Sequence, residues 1–184
     1  MNTKNNFEEF PVFNASRMKI ALVVSRQNSV ITEKVVQQVL DALYEYEIEE
    51  EKVKIEFVAG PSEVLMVVNQ LVKSGGFDCI VAIGTLVAET APRFAVEGQI
   101  LAQELTSLSL GSGVPIGNGF IFADRMKTAK LMMYIPAEVT AGTLEVARWL
   151  STLKPPKTAS VKKAQAKKKS EPKPGQEDDQ DMEL

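Results

Sequence analysis

Histidine is absent from the 184 residues, and cysteine occurs once, at position 79. These two absences exclude an intrachain disulfide, a zinc site built from Cys and His, and any Ser-His or Cys-His nucleophile pair. Acid–base chemistry is left to Glu, Asp, Lys or Tyr, or to a bound substrate. Cys79 stands inside the apolar run Cys79-Ile80-Val81-Ala82-Ile83 and reads as a small packed hydrophobe. No run approaches the roughly 20 apolar residues that cross a bilayer. Met1 to Phe10 lacks the apolar stretch of a secretory signal, so a cytosolic protein is expected, with no membrane partner.

What is present fits an ordinary globular chain, with 45% hydrophobic and 24% charged residues. The length suffices for one domain with a core. The net charge of −3 does not point to nucleic acid, although it is unevenly spread. From Lys154 onward there are eight Lys against six Asp and Glu, so this tail carries +2 and the remainder −5. The tail also holds Pro155, Pro156, Pro172 and Pro174, a lysine block at 162–169 and an acidic block at 177–183. With so few large apolar residues it cannot offset the entropy of ordering, and 154–184 is expected to be disordered. Residues 1–17 are expected to form an arm, either disordered or paired with a neighbouring sheet edge, leaving 18–153 as the domain.

Within that domain, strands and helices alternate. Met18 to Val24 reads as a strand, and a helix follows with Val35, Val36, Val39, Leu40, Leu43 and Tyr44 as one buried stripe. Val53 to Val58 is a second strand, broken by Ala59-Gly60-Pro61-Ser62, where Pro61 suits the first turn of the next helix. That helix carries Val64, Leu65, Val67, Val68, Leu71 and Val72 and ends at Ser74-Gly75-Gly76. Cys79 to Ile83 is a third strand. A helix over about 95–110 buries Ile100, Leu101, Leu105 and Leu108, and Val114 to Ile121 is a fourth strand. Asp124 reads as the cap of a short helix to Met133, and a last helix spans about 137–150. Such alternation implies an α/β fold with a parallel four-stranded sheet flanked by helices on both faces.

Ligands of open α/β sheets lie beyond the carboxyl ends of the strands. Four strand ends supply Arg26, Gln27 and Asn28, then Ser62 and Glu63, then Thr85 to Arg93, then Asn118. Convergence of these on one edge predicts a small-ligand cleft. Structural readings stand beside the functional ones. Gln27 and Asn28 suit a turn, Glu63 suits the positive end of a helix, and Glu89 and Arg93 have the spacing of an ion pair.

Several runs resemble one family in order and spacing. They are Ile20-Ala21-Leu22-Val23-Val24-Ser25-Arg26-Gln27-Asn28, Val58-Ala59-Gly60-Pro61-Ser62-Glu63, Asp78 to Phe94, Gly113-Val114-Pro115-Ile116-Gly117-Asn118-Gly119 and Leu144-Glu145-Val146-Ala147. Met18 to about Leu153 resembles a subunit of the 6,7-dimethyl-8-ribityllumazine synthase family. The resemblance implies a flavodoxin-like three-layer fold. It also implies condensation of 5-amino-6-(D-ribitylamino)uracil with 3,4-dihydroxy-2-butanone 4-phosphate in riboflavin synthesis, without metal or redox cofactor. It implies self-association as homopentamers with sites between subunits, twelve pentamers forming a sixty-subunit shell in some members.

Carried over by position, the same resemblance shows which family residues are replaced. The substrate-binding positions are Gln27, Asn28, Pro61, Ser62, Glu63, Thr85, Leu86, Val87 and Asn118. Gln27 stands where family members place an aromatic ring that stacks on the pyrimidine, and Asn118 where they place the ring contributed by the neighbouring subunit. Asn28, Glu63 (expected at ribityl hydroxyls) and the backbone of Thr85 to Val87 match. The phosphate-binding positions are Thr90, Ala91 and Met132, the last replacing an arginine. Ala88-Glu89 and Ile135-Pro136 replace basic-glycine pairs, and Arg93 replaces the histidine that moves protons. An arginine is always protonated and cannot shuttle a proton, although it can hold an anion. The expectation is a lumazine-synthase frame with a degenerate site, weakly active or inactive. The alternatives are a non-catalytic oligomeric scaffold or shell, an active divergent synthase, and a flavin binder without turnover, which Gln27 and Asn118 oppose.

Overall fold

A computed structural model describes residues 11–89 and 93–153. The apolar runs form four strands: β1 (Ile20–Ser25), β2 (Val53–Val58), β3 (Cys79–Val87) and β4 (Ile116–Ala123). Every neighbouring pair is parallel, and the order is β2-β1-β3-β4. β1 and β3 are buried along their whole length, as expected of strands covered on both faces. The second strand begins and ends where the sequence places it, and so does α2 (Pro61–Ser74).

The helices α1 (Ser29–Glu45), α4 (Met126–Leu131) and α5 (Ile135–Leu153) cover one face, where Ile20, Leu22, Val24, Val81 and Ile83 meet Val35, Val39, Ala129 and Leu144. α2 and α3 (Phe94–Ser112) cover the other, where Ala21, Val23, Ile80, Ala82 and Leu86 meet Val64, Val68, Leu101 and Leu105. Alternate residues of one strand therefore feed two separate cores, the consequence of the two-residue repeat of extended chain. This three-layer arrangement is the α/β architecture predicted from the alternation of elements.

Several boundaries differ from the sequence-based expectation. β3 runs four residues beyond Ile83, because Gly84 to Val87 pair with Phe120 to Ala123. β4 correspondingly lies two residues later than its apolar run suggested. Asp124 precedes α4, whose flanking residue is Arg125; the Asp124 carboxylate accepts bonds from the Arg125 N–H and the Thr128 hydroxyl. These bonds, the hydroxyl contact foremost, hold the carboxyl below the usual range. Tyr44 and Ile100, predicted to be core, face outward. Each lies at the border of a helical stripe, where the position of the sheet decides burial. Of the arm expected at 1–17, residues 1–10 lie outside the described residues, as does the tail at 154–184. Phe13 and Ala15 instead pack against the chain's own α1-side core, where the Ala15 N–H donates to the Tyr46 carbonyl at 2.8 Å.

Cys79 is fully buried, and burial above all, with the charge of Asp78, pushes its thiol up to about 12. It is an inert core residue.

Gly84 shows how closely the strands are packed. A Cβ there would lie 2.3 Å from the ring of Phe120, its register partner on β4. Phe120 in turn stacks on Phe122, with ring centroids 6.1 Å apart. Gly84→Ala is expected to destabilise the protein by about 1–3 kcal/mol through overpacking. Guanidinium unfolding measures it, and Phe120→Leu should act less than additively with it. An unchanged midpoint in G84A would contradict this packing.

Candidate functional site

The sheet reverses its winding between β1 and β3, because the chain leaves β1 toward β2 and returns across it to β3. Such a switch point is the usual place for a ligand in an open α/β sheet. The β1–α1 turn lies there. The Arg26 N–H donates to the Val58 carbonyl at 2.8 Å, and the Gln27 N–H donates to Ser25 Oγ at 3.3 Å. Asn28 adopts the left-handed conformation, with φ 53° and ψ 46°, which Asn tolerates better than most residues. Its carbonyl accepts the N–H groups of Ile31 and Thr32, starting α1.

The Asn28 side chain crosses to β3 and donates from Nδ2 to the Thr85 carbonyl at 2.8 Å. Thr32 Oγ1 lies 3.1 Å from the Gln27 carbonyl and 3.2 Å from Thr85 Oγ1. The structure therefore brings Gln27, Asn28 and Thr85 together. Thr32 is an addition to the residues singled out from sequence. Its signal was a single hydroxyl in the otherwise apolar stripe of Ile31, Val35 and Val39.

Thr85, Leu86 and Val87 themselves were expected in a loop at the strand end. They form the last part of β3 and are buried. Leu86 and Val87 point into the two opposite cores. What this segment can offer a ligand is backbone at the rim, where the Ala88 N–H is already bonded to the Ala123 carbonyl at 3.0 Å.

At the end of β2, Gly60 leads into Pro61, Ser62 and Glu63 at the start of α2. Ser62 and Glu63 are exposed. Glu63 Oε2 folds back toward Gly60, to 3.2 Å from where a Cβ would stand. The carboxylate thus lies against the positive end of α2, where it is stabilised.

The positions expected to handle phosphate and protons are scattered. Glu89 has the spacing to pair with Arg93 across a helical turn, the structural reading set beside a functional one; its Oε2 accepts the Met126 N–H, the first of α4, at 3.1 Å. Arg93 precedes α3 with its side chain 87% exposed and pairs with Glu97 at 3.9 Å. Met132, at the end of α4, packs partly into the α1–α5 core. Thr90 and Ala91 lie outside the described residues.

Asn118 does not join the strand-end group. It pairs with Ala82, which pairs with Val23, placing it midway along the sheet. Its Oδ1 accepts the Phe120 N–H at 3.2 Å on the outermost strand. The sequence marks it as strand-borne, but only the β3–β4 register fixes its height. Among the described residues, no group of three or more Asp, Glu and Cys side chains comes together to hold a metal ion. No helix there is long and apolar enough to cross a membrane.

Comparison with known proteins adds a family to this geometry. A family profile described as 6,7-dimethyl-8-ribityllumazine synthase matches residues 17–146. The chain is also similar to the 6,7-dimethyl-8-ribityllumazine synthase of Protochlamydia amoebophila (strain UWE25), with 29% identity over 116 residues. That alignment covers 63% of this chain and 67% of the relative.

The Asn28–Thr85 bond generates a test. Asn28→Gly keeps the positive φ but leaves a buried carbonyl without its donor, a cost of about 1–3 kcal/mol. Asn28→Ala adds a left-handed penalty of about 1–2 kcal/mol. Denaturation midpoints are expected to fall in the order wild type, Gly, Ala. An alanine variant as stable as the glycine variant would contradict the account.

Proposed function

We propose, because the chain belongs to the 6,7-dimethyl-8-ribityllumazine synthase family, that it keeps that family's frame around a site with little or no turnover. The observation that carries this reading is the state of the polar groups at the strand ends. The histidine position holds Arg93, which is exposed and turned to Glu97. The carboxylate of Glu89 occupies the first N–H of α4, on the side of the site where the second substrate's phosphate is expected. Met132 presents a thioether to the core where the family has a guanidinium.

Physical terms run in the same direction. A guanidinium cannot alternate between proton donor and acceptor at neutral pH. Two missing ring contacts, at Gln27 and Asn118, weaken pyrimidine binding by about 1–3 kcal/mol each, by analogy with base stacking. A carboxylate beside the phosphate position adds repulsion in place of donors. Glu63 remains at the head of α2, so hydroxyl-rich ligands retain one acceptor.

The test is direct. The full chain is mixed with 5-amino-6-(D-ribitylamino)uracil and 3,4-dihydroxy-2-butanone 4-phosphate, and lumazine fluorescence is followed. The rate is expected to stay within about tenfold of the uncatalysed one, since a general acid–base contribution of about 10²–10⁴ is missing. Fast turnover by the wild-type chain at neutral pH would establish the alternative, an active divergent synthase.

A second reading, a structural assembly in the cytoplasm, is favoured by the molecular surface. Met66, Leu110 and Trp149 are 72%, 82% and 61% exposed, and Val146 and Leu153 also face outward. Val146, Trp149 and Leu153 stand three and four residues apart on α5 and form one exposed apolar stripe, the kind of contiguous surface that marks association. Such surfaces do not depend on the residues that carry chemistry. Sedimentation velocity of the full chain is expected to show homopentamers or larger shells. A purely monomeric boundary at micromolar concentration would remove this reading.

A further inference from the structure

A cavity of about 310 Å³ opens beside the carboxyl ends of β1 and β2, on the α1 side of the sheet. Val24, Arg26, Thr32, Glu33, Val36 and Phe57 line it. None of Gln27, Asn28, Glu63, Thr85 or Asn118 does. It adjoins the strand-end group, sharing Arg26 and Thr32 with it, but is lined by a separate set of side chains on α1 and β2.

The cavity follows from topology. α1 packs over β1 and β3 rather than over β2. The α1-side face of edge strand β2 is consequently left partly open. Val24 and Phe57 are register partners on adjacent parallel strands, so their side chains stand together on that face. Val24 is buried, whereas Phe57 is 50% exposed. One wall is thus a flat ring with half its surface in water, and the floor is aliphatic.

Charge is arranged at the rim. The Arg26 backbone is held by its bond to the Val58 carbonyl, which fixes where its guanidinium starts. Among the described residues, that guanidinium takes part in no ion pair, and neither does the carboxylate of Glu33. A cation, a ring face and an apolar floor of this size suit a one- or two-ring ligand carrying a single negative charge.

We propose that this cavity is a binding site for a flat aromatic carboxylate, with its ring against Phe57 and Val36 and its carboxylate on Arg26. Glu33 disfavours a second negative charge and favours a ring bearing a hydrogen-bond donor. The site goes beyond the family reading and holds whether or not the strand-end group turns over.

The experiment uses the full chain in its native assembly, titrated calorimetrically with 2-naphthoate. Naphthalene-2-carboxamide serves as the uncharged control. Saturable binding of one naphthoate per chain is expected, with the carboxamide at least about tenfold weaker. Arg26→Gln should weaken naphthoate by about tenfold or more. Phe57→Leu should weaken it by about 5- to 150-fold, the span of one lost ring stack. Glu33→Gln should tighten it by about two- to fivefold. All three side chains are exposed or half-exposed, and circular dichroism checks that the variants fold. Absence of saturable binding would overturn the proposal, as would affinity indifferent to both Arg26→Gln and Phe57→Leu. Weakening by Glu63→Gln would also overturn it, because the ligand would then sit at the strand-end group. The lumazine assay reads none of these outcomes, so the two proposals fail separately.

Discussion

A central strand that outruns its neighbour creates the constraint on which this molecule is built. The β1–β3 ladder stops at Val24 and Ile83, while β3 continues to Val87 beside β4 alone. The Thr85 carbonyl lies past that end in a buried residue, where an unpaired acceptor is costly. Asn28 supplies the donor, reaching 2.8 Å from a left-handed turn that few other side chains adopt. The Thr32 hydroxyl lies against Thr85 Oγ1 and the Gln27 carbonyl, tying the first turn of α1 to the same strand. One local need for a hydrogen bond thus sets the β1–α1 turn, the start of α1 and the shape of the switch point.

The same topology decides where surface is left unfinished. Two interior strands are sealed by helices, but the two outer strands have only partial cover. β4 answers its free edge internally, with the Asn118 side-chain Oδ1 accepting the Phe120 N–H. β2 leaves Phe57 half in water and a cavity beneath it. Apolar residues on α2, α3 and α5 remain exposed in the single chain. The frame is thus complete in its two cores and incomplete at its periphery, which is where association and ligand binding draw their free energy.

Frame and chemistry also separate in the residues that carry them. The cores are built mainly from Val, Ile, Leu and Ala in fixed register, with Tyr46 in one and Phe120 in the other, and neither includes Gln27, Glu63 or Arg93. Strand-end side chains outside the Asn28–Thr32–Thr85 contacts, such as those of Glu63 and Arg93, can therefore be exchanged without disturbing these cores. That independence underlies the proposal that this chain retains a family's architecture with its proton-transfer group and phosphate clamp replaced.

Much of this was legible in the residues themselves. The apolar runs and their breakers located all four strands and the principal helices, because burial on both faces demands continuous hydrophobicity and Gly-Pro breaks end it. The bounds of β2 and α2 coincide with those read from their flanking signals. The absence of histidine settled which proton carriers the chain can use, since side-chain chemistry needs no fold to be known. Register was not legible. The apolar runs set Thr85 and Asn118 at strand ends, but pairing alone puts Thr85 inside the sheet and Asn118 level with Val23. Nor could spacing choose between Glu89 and Glu97 as the partner of Arg93, because both lie four residues away. The choice went to Glu97 since it shares the helix that Arg93 begins, whereas Glu89 precedes that helix and lies against α4. Local sequence fixes what each segment prefers to be; which groups meet depends on contacts between segments far apart in the chain, and only the assembled sheet supplies those.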